Sequence, residues 1–336
     1  MRILVTGGAG FIGSNFVRWV VEGRKAHVIT LDALTYAGNL ANLEGLDPQW
    51  HTFVRGDVRE AAALDAAIGE GVDAVVHFAA ETHVDRSILD ASAFFTTNVG
   101  GTTTVLDAVR RHQIARLVHV STDEVYGTLT PGDAPFTEEH PLLPNSPYAA
   151  SKAGSDLAVR AWVETYGLSA SITRCGNNFG PYQFPEKLIP LFVTNALEGE
   201  ALPLYGDGLQ VRDWVYVEDH SRAVWRVLEA GQKGRVYNIG ARNEQTNQTI
   251  TRAVLRLTGR PDTLVRHVAD RPGHDRRYAM DPTRIETELS WRPLWAFEDA
   301  MAATVDWYTS HDAWWRAVKS GAYRQYYAAQ YGSRLS

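Results

Sequence analysis

The sequence predicts an α/β fold, a doubly wound parallel sheet with a smaller C-terminal substrate-binding domain. Short runs that are apolar throughout recur along the first half of the 336 residues, with helical stretches between most of them. Strands of a parallel sheet show this pattern because helices cover both of its faces. After residue 175 the chain becomes rich in Gly, Pro, Asn and aromatic residues, which indicates that a second unit begins there.

The apolar runs define the predicted strands in chain order. They cover residues 3–5, 28–31, 53–54, 74–78 and 117–120. The first helix follows Gly13 and has four apolar side chains at helical spacing, namely Phe16, Val17, Val20 and Val21. Further helices are predicted over residues 61–68, 93–111 and 151–166. Two later segments have the pattern of elements that return to the sheet, residues 215–228 and 236–239.

This pattern divides the chain into three parts. The sheet domain covers residues 1–175, with returning segments at about 213–240. The smaller domain covers residues 176–212 and 241–310. A tail rich in Trp and Tyr, residues 311–336, has no assigned role.

Composition argues against several classes of function. The net charge is −6 and the pI is near 6.0, so bulk charge attracts neither nucleic acid nor anionic lipid. The one cysteine, Cys175, excludes an intrachain disulfide and fits a reducing cytoplasm. No apolar run has the length of a membrane span, and the first residues lead directly into a strand pattern, so we expect no signal peptide.

A glycine-rich turn joins the first predicted strand to the first helix. Residues 7–13 read Gly-Gly-Ala-Gly-Phe-Ile-Gly. Glycines let backbone N–H groups approach a pyrophosphate, and the helix N-terminus adds partial positive charge. Glycine spacing alone also fits a tight turn between packed elements, but strand, glycine turn and helix occur here together. The combination predicts a Rossmann-type domain that binds a dinucleotide.

An acidic residue ends the second predicted strand. Asp32 is placed to accept hydrogen bonds from the ribose hydroxyls of the cofactor, although it could also merely cap a turn. Its charge would repel a 2′-phosphate, so the sequence favours NAD over NADP. Asp57, after the third strand, is expected on the adenine side of the same cofactor.

A tyrosine and a lysine provide the candidate catalytic pair. Tyr148 and Lys152 are four residues apart, so they share one face of a helix. A nearby ammonium, together with a positive nicotinamide ring, favours tyrosinate, which can take the proton from an alcohol as hydride leaves. In isolation the pair would more often be a chance pair on a surface helix. Thr122 ends a parallel strand at the edge where such sheets bind ligands, which supports the catalytic interpretation.

Together, Tyr-x-x-x-Lys and Gly-x-x-Gly-x-x-Gly resemble the extended short-chain dehydrogenase/reductase family over nearly the whole chain. Many sugar epimerases of that family have a small residue where Asp123 and Glu124 stand here. Two adjacent carboxyl groups can supply an acid and a base, as elimination of water requires, although such a dipeptide is usually just solvated.

Longer blocks narrow the resemblance to the nucleotide-sugar 4,6-dehydratases, with dTDP-glucose as the implied substrate. The blocks cover residues 35–39, 79–87, 121–127, 174–190, 206–208, 212–214 and 270–275. Two positions depart from the family pattern. Thr82 replaces a common serine and keeps the hydroxyl, and Phe179 replaces a common tyrosine and loses it.

The resemblance implies roles for the matching residues. Tyr148 would take the proton of the sugar 4-hydroxyl, Glu124 the proton on C5, and a protonated Asp123 would give its proton to the leaving 6-hydroxyl. Thr122 would bind the C4 oxygen, and Lys152 the nicotinamide ribose. NAD would be regenerated in each cycle and stay bound.

The implied binding residues form two sets. The expected cofactor contacts are Gly7, Gly10, Phe11, Ile12, Gly13, Asp32, Leu34, Thr35, Asp57, Val58, Phe78, Ala79, Ala80, Thr82, Thr97, Tyr148, Lys152 and Asn178. The expected substrate contacts are Thr82, Thr122, Asn177, Lys187, Leu188, Pro203, Tyr205, Arg212, Asn247, Asp270, Arg271 and His274. The histidines show no metal-ligand spacing, so we expect no metal. The helices at 93–111 and 151–166 resemble the pair that forms the family's dimer interface, although they could equally face the interior.

Three alternatives remain open on the sequence. A nucleotide-sugar 4-epimerase would share the cofactor and the Tyr148–Lys152 pair but would not need the two acids. A dehydratase for a CDP- or GDP-linked sugar would differ in the residues that contact the base. A non-catalytic Rossmann protein is disfavoured because the tyrosine and the lysine are both intact.

Overall fold

The computed structural model describes residues 1–270 and 274–320. Its main feature is a sheet of seven strands, β1 (Arg2–Thr6), β2 (His27–Asp32), β3 (His51–Arg55), β4 (Ala74–His77), β5 (Arg116–Thr122), β6 (Ala170–Cys175) and β10 (Val236–Ile239). Their order is β3-β2-β1-β4-β5-β6-β10, and all neighbouring strands are parallel. The predicted α/β fold is confirmed.

Two smaller sheets lie outside the main one. Their strands are β7 (Asn177–Phe179), β8 (Leu202–Tyr205), β9 (Val211–Tyr216), β11 (Glu244–Thr246) and β12 (Val265–Val268). A three-stranded sheet has the order β11-β9-β7, and a two-stranded parallel sheet pairs β8 with β12. All five strands follow residue 175, where the composition changes. The division of the chain into two domains with stated bounds stays a prediction.

Helices cover both faces of the main sheet and one side of the smaller ones. They are α1 (Phe11–Glu22), α2 (Ala61–Ile68), α3 (Val84–Leu89), α4 (Ala91–Phe94), α5 (Thr102–Arg111), α6 (Pro147–Tyr166), α7 (Leu188–Glu198), α8 (Val217–Ala230), α9 (Asn247–Thr258), α10 (Thr283–Leu289), α11 (Phe297–Ser310) and α12 (Asp312–Val318). None of these helices in the described part of the chain combines the length and apolar character that crossing a bilayer requires.

Three separate apolar clusters follow from this layering. One packs α1 and α8 on one face of the sheet, and another packs α2, α5 and α6 on the opposite face. The third fills the space between α7, α9, α11 and the smaller sheets. The four apolar residues predicted to share one face of α1 are all buried.

The helix predicted over residues 93–111 is continuous but not uniform. Between α4 and α5 the chain forms a π-helical segment, Phe95–Gly101. Inside it, the side chain of Asn98 accepts from the N–H of Glu81 at 2.8 Å and donates to the Ser151 hydroxyl at 2.8 Å. Such local widening often occurs near functional sites, and here it ties the helix to the end of β4 and to α6.

The glycine turn permits a close approach of β1 and α1. A Cβ atom added to Gly13 would lie 2.2 Å from the carbonyl oxygen of Gly7. Gly7 itself has a φ of 72°, a conformation that favours glycine. The spacing of the glycines is therefore required by packing as well as by any ligand.

We predict that Gly13→Ala lowers the free energy of unfolding by about 1–3 kcal/mol, because the added methyl overpacks the turn. Chemical denaturation measures this change. Gly132→Ala is the control, since a Cβ there has no atom within 4 Å, and we expect a change below about 0.5 kcal/mol. Equal free energies of unfolding for the two variants would show that the glycine turn accommodates the added methyl group without loss of stability.

Candidate active site

A cleft of about 360 Å³ opens at the edge of the sheet where β1, β2, β4, β5 and β6 end. Parallel α/β sheets bind their ligands at this edge. The cleft brings together the glycine turn, the Tyr148–Lys152 pair and the Asp123–Glu124 pair. The predicted chemistry therefore has a common location.

Most of the predicted cofactor contacts line this cleft. They are Gly7, Gly10, Phe11, Ile12, Gly13, Asp32, Thr35, Asp57, Val58, Phe78, Ala79, Ala80, Thr82, Thr97, Tyr148, Lys152 and Asn178. Leu34 is not among the lining residues. It has a φ of 55°, and its N–H donates to the Asp32 carboxylate at 2.8 Å.

The glycine turn has the geometry of an anion cradle. Gly10 precedes α1 as its N-cap and has no side chain to occupy the first N–H groups of the helix. A Cβ atom at Gly7 would lie 2.6 Å from the backbone nitrogen of Ala79, so only glycine fits there. These residues fit the pyrophosphate of a dinucleotide.

The Asp32 carboxylate forms a hydrogen bond with the backbone of the same turn. It accepts from the N–H of Ala9 at 2.9 Å, in addition to that of Leu34. Burial raises the pKa of Asp32, and the two backbone hydrogen bonds oppose that shift. Each oxygen keeps a further lone pair, which ribose hydroxyls can use.

Asp57, which was expected on the adenine side of the cofactor, forms an ion pair that was not predicted from the sequence. The Arg59 guanidinium meets the Asp57 carboxylate at 2.6 Å, and its hydrogen bonds lower the pKa of Asp57. Both residues line the cleft. The only signal for Arg59 in the sequence is its position two residues after Asp57.

The helix that carries the catalytic pair begins with a clear signal. Ser146 caps α6 by accepting from the N–H of Ala149 at 3.1 Å, and Pro147 occupies the first turn. One turn further in, the Lys152 ammonium donates to the carbonyl of Val120 at 2.9 Å. Burial lowers the pKa of Lys152 to about 8.

The phenol of Tyr148 is buried, and the neighbouring Thr122 side chain acts to lower its pKa. Burial raises its pKa well above the ordinary value, and the Glu124 carboxylate raises it further. The Lys152 ammonium was expected to favour tyrosinate at Tyr148. Within the protein alone, burial and the Glu124 charge favour the neutral phenol instead. A further positive charge near the phenol is needed for tyrosinate.

The two acids after β5 occupy different environments. Residues Asp123–Tyr126 form a short 3₁₀ turn capped by Thr122, whose hydroxyl accepts from the N–H of Glu124 at 3.3 Å. Asp123 is 2% exposed, whereas Glu124 is half-buried. Burial raises the pKa of Asp123 well above its usual range, and the Glu124 charge adds to this shift. The cleft thus contains a buried carboxyl group whose protonated form is favoured, beside a second, less buried carboxyl.

Part of the predicted substrate set lies in the same cleft, namely Thr82, Thr122, Asn177 and Lys187. The Lys187 ammonium donates to the carbonyl of Thr82 at 3.1 Å, which joins two of these segments.

The remaining described substrate residues do not line this cleft. They are Leu188, Pro203, Tyr205, Arg212, Asn247, Asp270 and His274. Arg271 lies outside the described residues, as does the tail beyond residue 320.

Several of these residues form a second group around Gln210. Its side chain donates to Asp270 at 2.8 Å, and its carbonyl accepts from the N–H of Asn247 at 3.0 Å. His274 contacts Asp270 at 2.5 Å. Arg212 is buried, donates to the carbonyl of Asp275 at 2.9 Å, and lowers the pKa of Asp123 by its charge. Arg212 therefore links this group electrostatically to the cleft.

The cleft also contains a buried carboxyl that sequence reasoning did not single out. Burial raises the pKa of Glu186 to about 7. Its carboxylate lies 3.5 Å from the Arg86 guanidinium and 3.6 Å from the His83 ring. Glu186 lies in the matching block at residues 174–190, but nothing in the sequence around it indicates that its side chain is buried. Among residues 1–270 and 274–320, no three His, Cys, Asp or Glu side chains are grouped to hold a metal ion.

Comparison with known proteins identifies the family of the chain. Residues 4–304 match the family described as GDP-mannose 4,6 dehydratase. The chain is similar to a dTDP-glucose 4,6-dehydratase from Streptomyces niveus, with 51% identity over 326 residues that cover 95% of this chain and 96% of that protein.

Two solved structures show the same fold. One is a dTDP-glucose 4,6-dehydratase from Streptomyces venezuelae with NAD and dTDP bound, at 54% identity and a TM-score of 0.92, covering 95% of this chain and 100% of that one. The other is a UDP-glucose 4-epimerase from Thermus thermophilus in complex with NAD, at 33% identity and a TM-score of 0.86, covering 93% of this chain and 100% of that one. The resemblance recognised in the sequence is confirmed, and the chain belongs to the sugar-nucleotide dehydratase family that the GDP-mannose 4,6 dehydratase match defines.

Proposed function

We propose that this chain is an NAD-dependent dTDP-glucose 4,6-dehydratase, which forms dTDP-4-keto-6-deoxyglucose and water. The observation that carries the proposal is the buried Asp123 carboxyl beside Glu124, in the same cleft as Tyr148 and Lys152. Burial raises the pKa of Asp123, which suits it to act as an acid. An epimerase has no use for this pair of acids. The name shared by the similar proteins supports the choice of substrate.

The residues divide the reaction between them. NAD, when bound, would accept a hydride from the sugar and return it, and would add positive charge near the Tyr148 phenol. Tyr148 takes the proton of the 4-hydroxyl, and Thr122 orients the C4 oxygen. A ketone at C4 acidifies the C5 hydrogen, which Glu124 removes, and Asp123 protonates the departing 6-hydroxyl, which leaves as water. A proton is delivered back to C5 as the hydride returns to C6.

The binding roles stay proposals as well. The glycine turn and Asp32 would hold the cofactor, and Asp57 with Arg59 would line its adenine end. Lys187, Arg212 and Arg271 would meet the substrate diphosphate, since Arg suits bidentate phosphate contacts. The group around Gln210, whose members do not line the cleft, would then hold the nucleotide end of the substrate.

We further propose that the protein forms a homodimer through α5 and α6. Four large apolar side chains are exposed on or near these helices. They are Leu89 (79% exposed), Leu157 (57%), Ile88 (46%) and Phe95 (45%). Apolar patches of this kind mark interfaces. A cytoplasmic location is proposed from the buried free thiol of Cys175.

Incubation with dTDP-glucose in deuterated water tests the function. We expect a keto sugar that absorbs in alkali, with deuterium at C5 and no oxygen at C6. Mass spectrometry and NMR of the product measure both changes. Formation of dTDP-galactose with its 6-hydroxyl intact would identify an epimerase, and turnover of a CDP- or GDP-linked glucose alone would change the substrate.

Asp123→Asn removes the acid that protonates the leaving group. We expect loss of water to slow by about 10²- to 10⁴-fold, while oxidation at C4 continues and reduced cofactor accumulates. Absorbance of the reduced nicotinamide and rapid quenching of the sugar measure the two steps. Asp133→Asn, in an exposed loop, is the control. Unchanged release of water by Asp123→Asn would remove Asp123 from the mechanism.

Asp32→Asn removes the charge that excludes a 2′-phosphate. We expect the ratio of NADP to NAD affinity to rise about tenfold or more. The ratio, obtained by titration calorimetry, isolates the charge effect, because damage to the turn weakens both cofactors alike. Asp47→Asn is the control, because Asp47 is partly exposed and does not line the cleft. A constant ratio would mean that another residue selects the cofactor.

A further inference from the structure

The described part of the C-terminal Trp-rich region forms an aromatic cluster against the sheet domain. Trp307 lies on α11 and Trp314 on α12, with ring centroids 5.2 Å apart. The ring of Tyr182 packs on Trp307 at 4.7 Å and on Trp314 at 5.9 Å. Arg18, on α1, lies over the Tyr182 ring at 5.0 Å. Tyr182 therefore connects α11 and α12 to α1, the first helix of the sheet domain.

One polar contact extends from this cluster toward the cleft. The indole N–H of Trp314 donates to the side-chain oxygen of Asn42 at 3.0 Å. The amide nitrogen of Asn42 in turn donates to the carbonyl of Ala9, inside the glycine turn, at 2.8 Å. Asn42 is only 2% exposed, so water does not readily replace either partner.

The peptide groups of Ala9 are held from several sides. Its carbonyl also accepts from the N–H of Asn39 at 3.0 Å, and its N–H donates to Asp32 at 2.9 Å. A cradle of N–H groups binds a pyrophosphate well only if its backbone is fixed to within about 0.5 Å. The contacts of Ala9 therefore fix the backbone of the glycine turn, and with it the N–H groups that would bind the pyrophosphate of the cofactor.

We infer that Trp314 is a positioning residue for the cofactor, acting through Asn42 on the carbonyl of Ala9. The inference rests on the proposed cofactor site. Without the indole donor, the oxygen of Asn42 is buried and unpaired, and the amide gains by rotating to find another partner. Rotation withdraws its nitrogen from Ala9 and loosens the glycine turn.

Helix α11 also contacts residues that line the cleft. The Tyr308 hydroxyl donates to the carbonyl of Gln183. The side chain of Gln183 donates to the carbonyl of Asn178 at 3.0 Å, and both of these residues line the cleft. The C-terminal helices therefore reach the cofactor site from two directions, and the Trp314 contact is the one that ends on the glycine turn.

The test compares two tryptophan variants of the full-length holoenzyme. Trp314→Phe keeps an aromatic ring but removes the donor to Asn42. Trp291→Phe is the matched control, because its indole also donates to a carbonyl, that of Asp219 at 3.2 Å, and Asp219 does not line the cleft. Release of bound NAD is followed by a chase with excess labelled NAD. We expect release to quicken about three- to tenfold in Trp314→Phe and to stay at the wild-type rate in Trp291→Phe.

Asn42→Ala tests whether Trp314 acts through Asn42. Asn42→Ala should quicken release by a similar factor, and Trp314→Phe should add nothing in that background, because both act on one chain of contacts. Wild-type release rates in Trp314→Phe, or equal acceleration in Trp291→Phe, would overturn the inference. If Trp314→Phe does not fold, a wild-type rate in Asn42→Ala overturns it equally.

Turnover of dTDP-glucose by the wild type is measured separately. A wild-type protein that holds NAD but forms no keto sugar contradicts the proposed function, while the release rates still decide the role of Trp314. A wild-type protein without NAD contradicts both.

Discussion

The parallel register of the central strands is the constraint on which the site depends. Thr6 pairs with His77 at the ends of β1 and β4, whereas β5 continues for three residues beyond the partner of His77 and ends at Thr122, opposite Cys175. The phosphate turn therefore follows a shorter strand, and the acids follow a longer one. This offset places proton chemistry beyond the cradle rather than beside it, as a ligand with its reactive ring distant from its phosphates requires.

Burial then separates the functions of groups that look alike in the sequence. Asp123 and Glu124 are neighbours, but only Asp123 is enclosed, and its pKa rises for that reason. Burial has the opposite effect on the lysine, whose pKa falls to about 8. Burial therefore shifts the pKa values of Asp123, Tyr148 and Lys152 in the direction that favours their neutral forms. The charge of a bound ligand would change these pKa values again.

Local patterns predicted the local features well. Glycine spacing, strand ends and the four-residue step from Tyr148 to Lys152 all depend on neighbours in the chain, and each lies where it was expected. β6 was overlooked because Ala170–Cys175 mixes polar and apolar residues, although every one of them is buried between β5 and β10. The separation of the group around Gln210 from the cleft, and the pairing of Arg59 with Asp57, depend on packing and rotamers, which the sequence pattern does not report.

The last strand of the main sheet has a consequence for how the chain is made. β10 pairs with β6 only after the chain has passed through β7, β8 and β9. During synthesis, the ribosome therefore releases six strands whose outer edge at β6 stays open until residue 239 has emerged. A nascent chain in this state exposes backbone groups at β6 that can pair with another chain until β10 covers them.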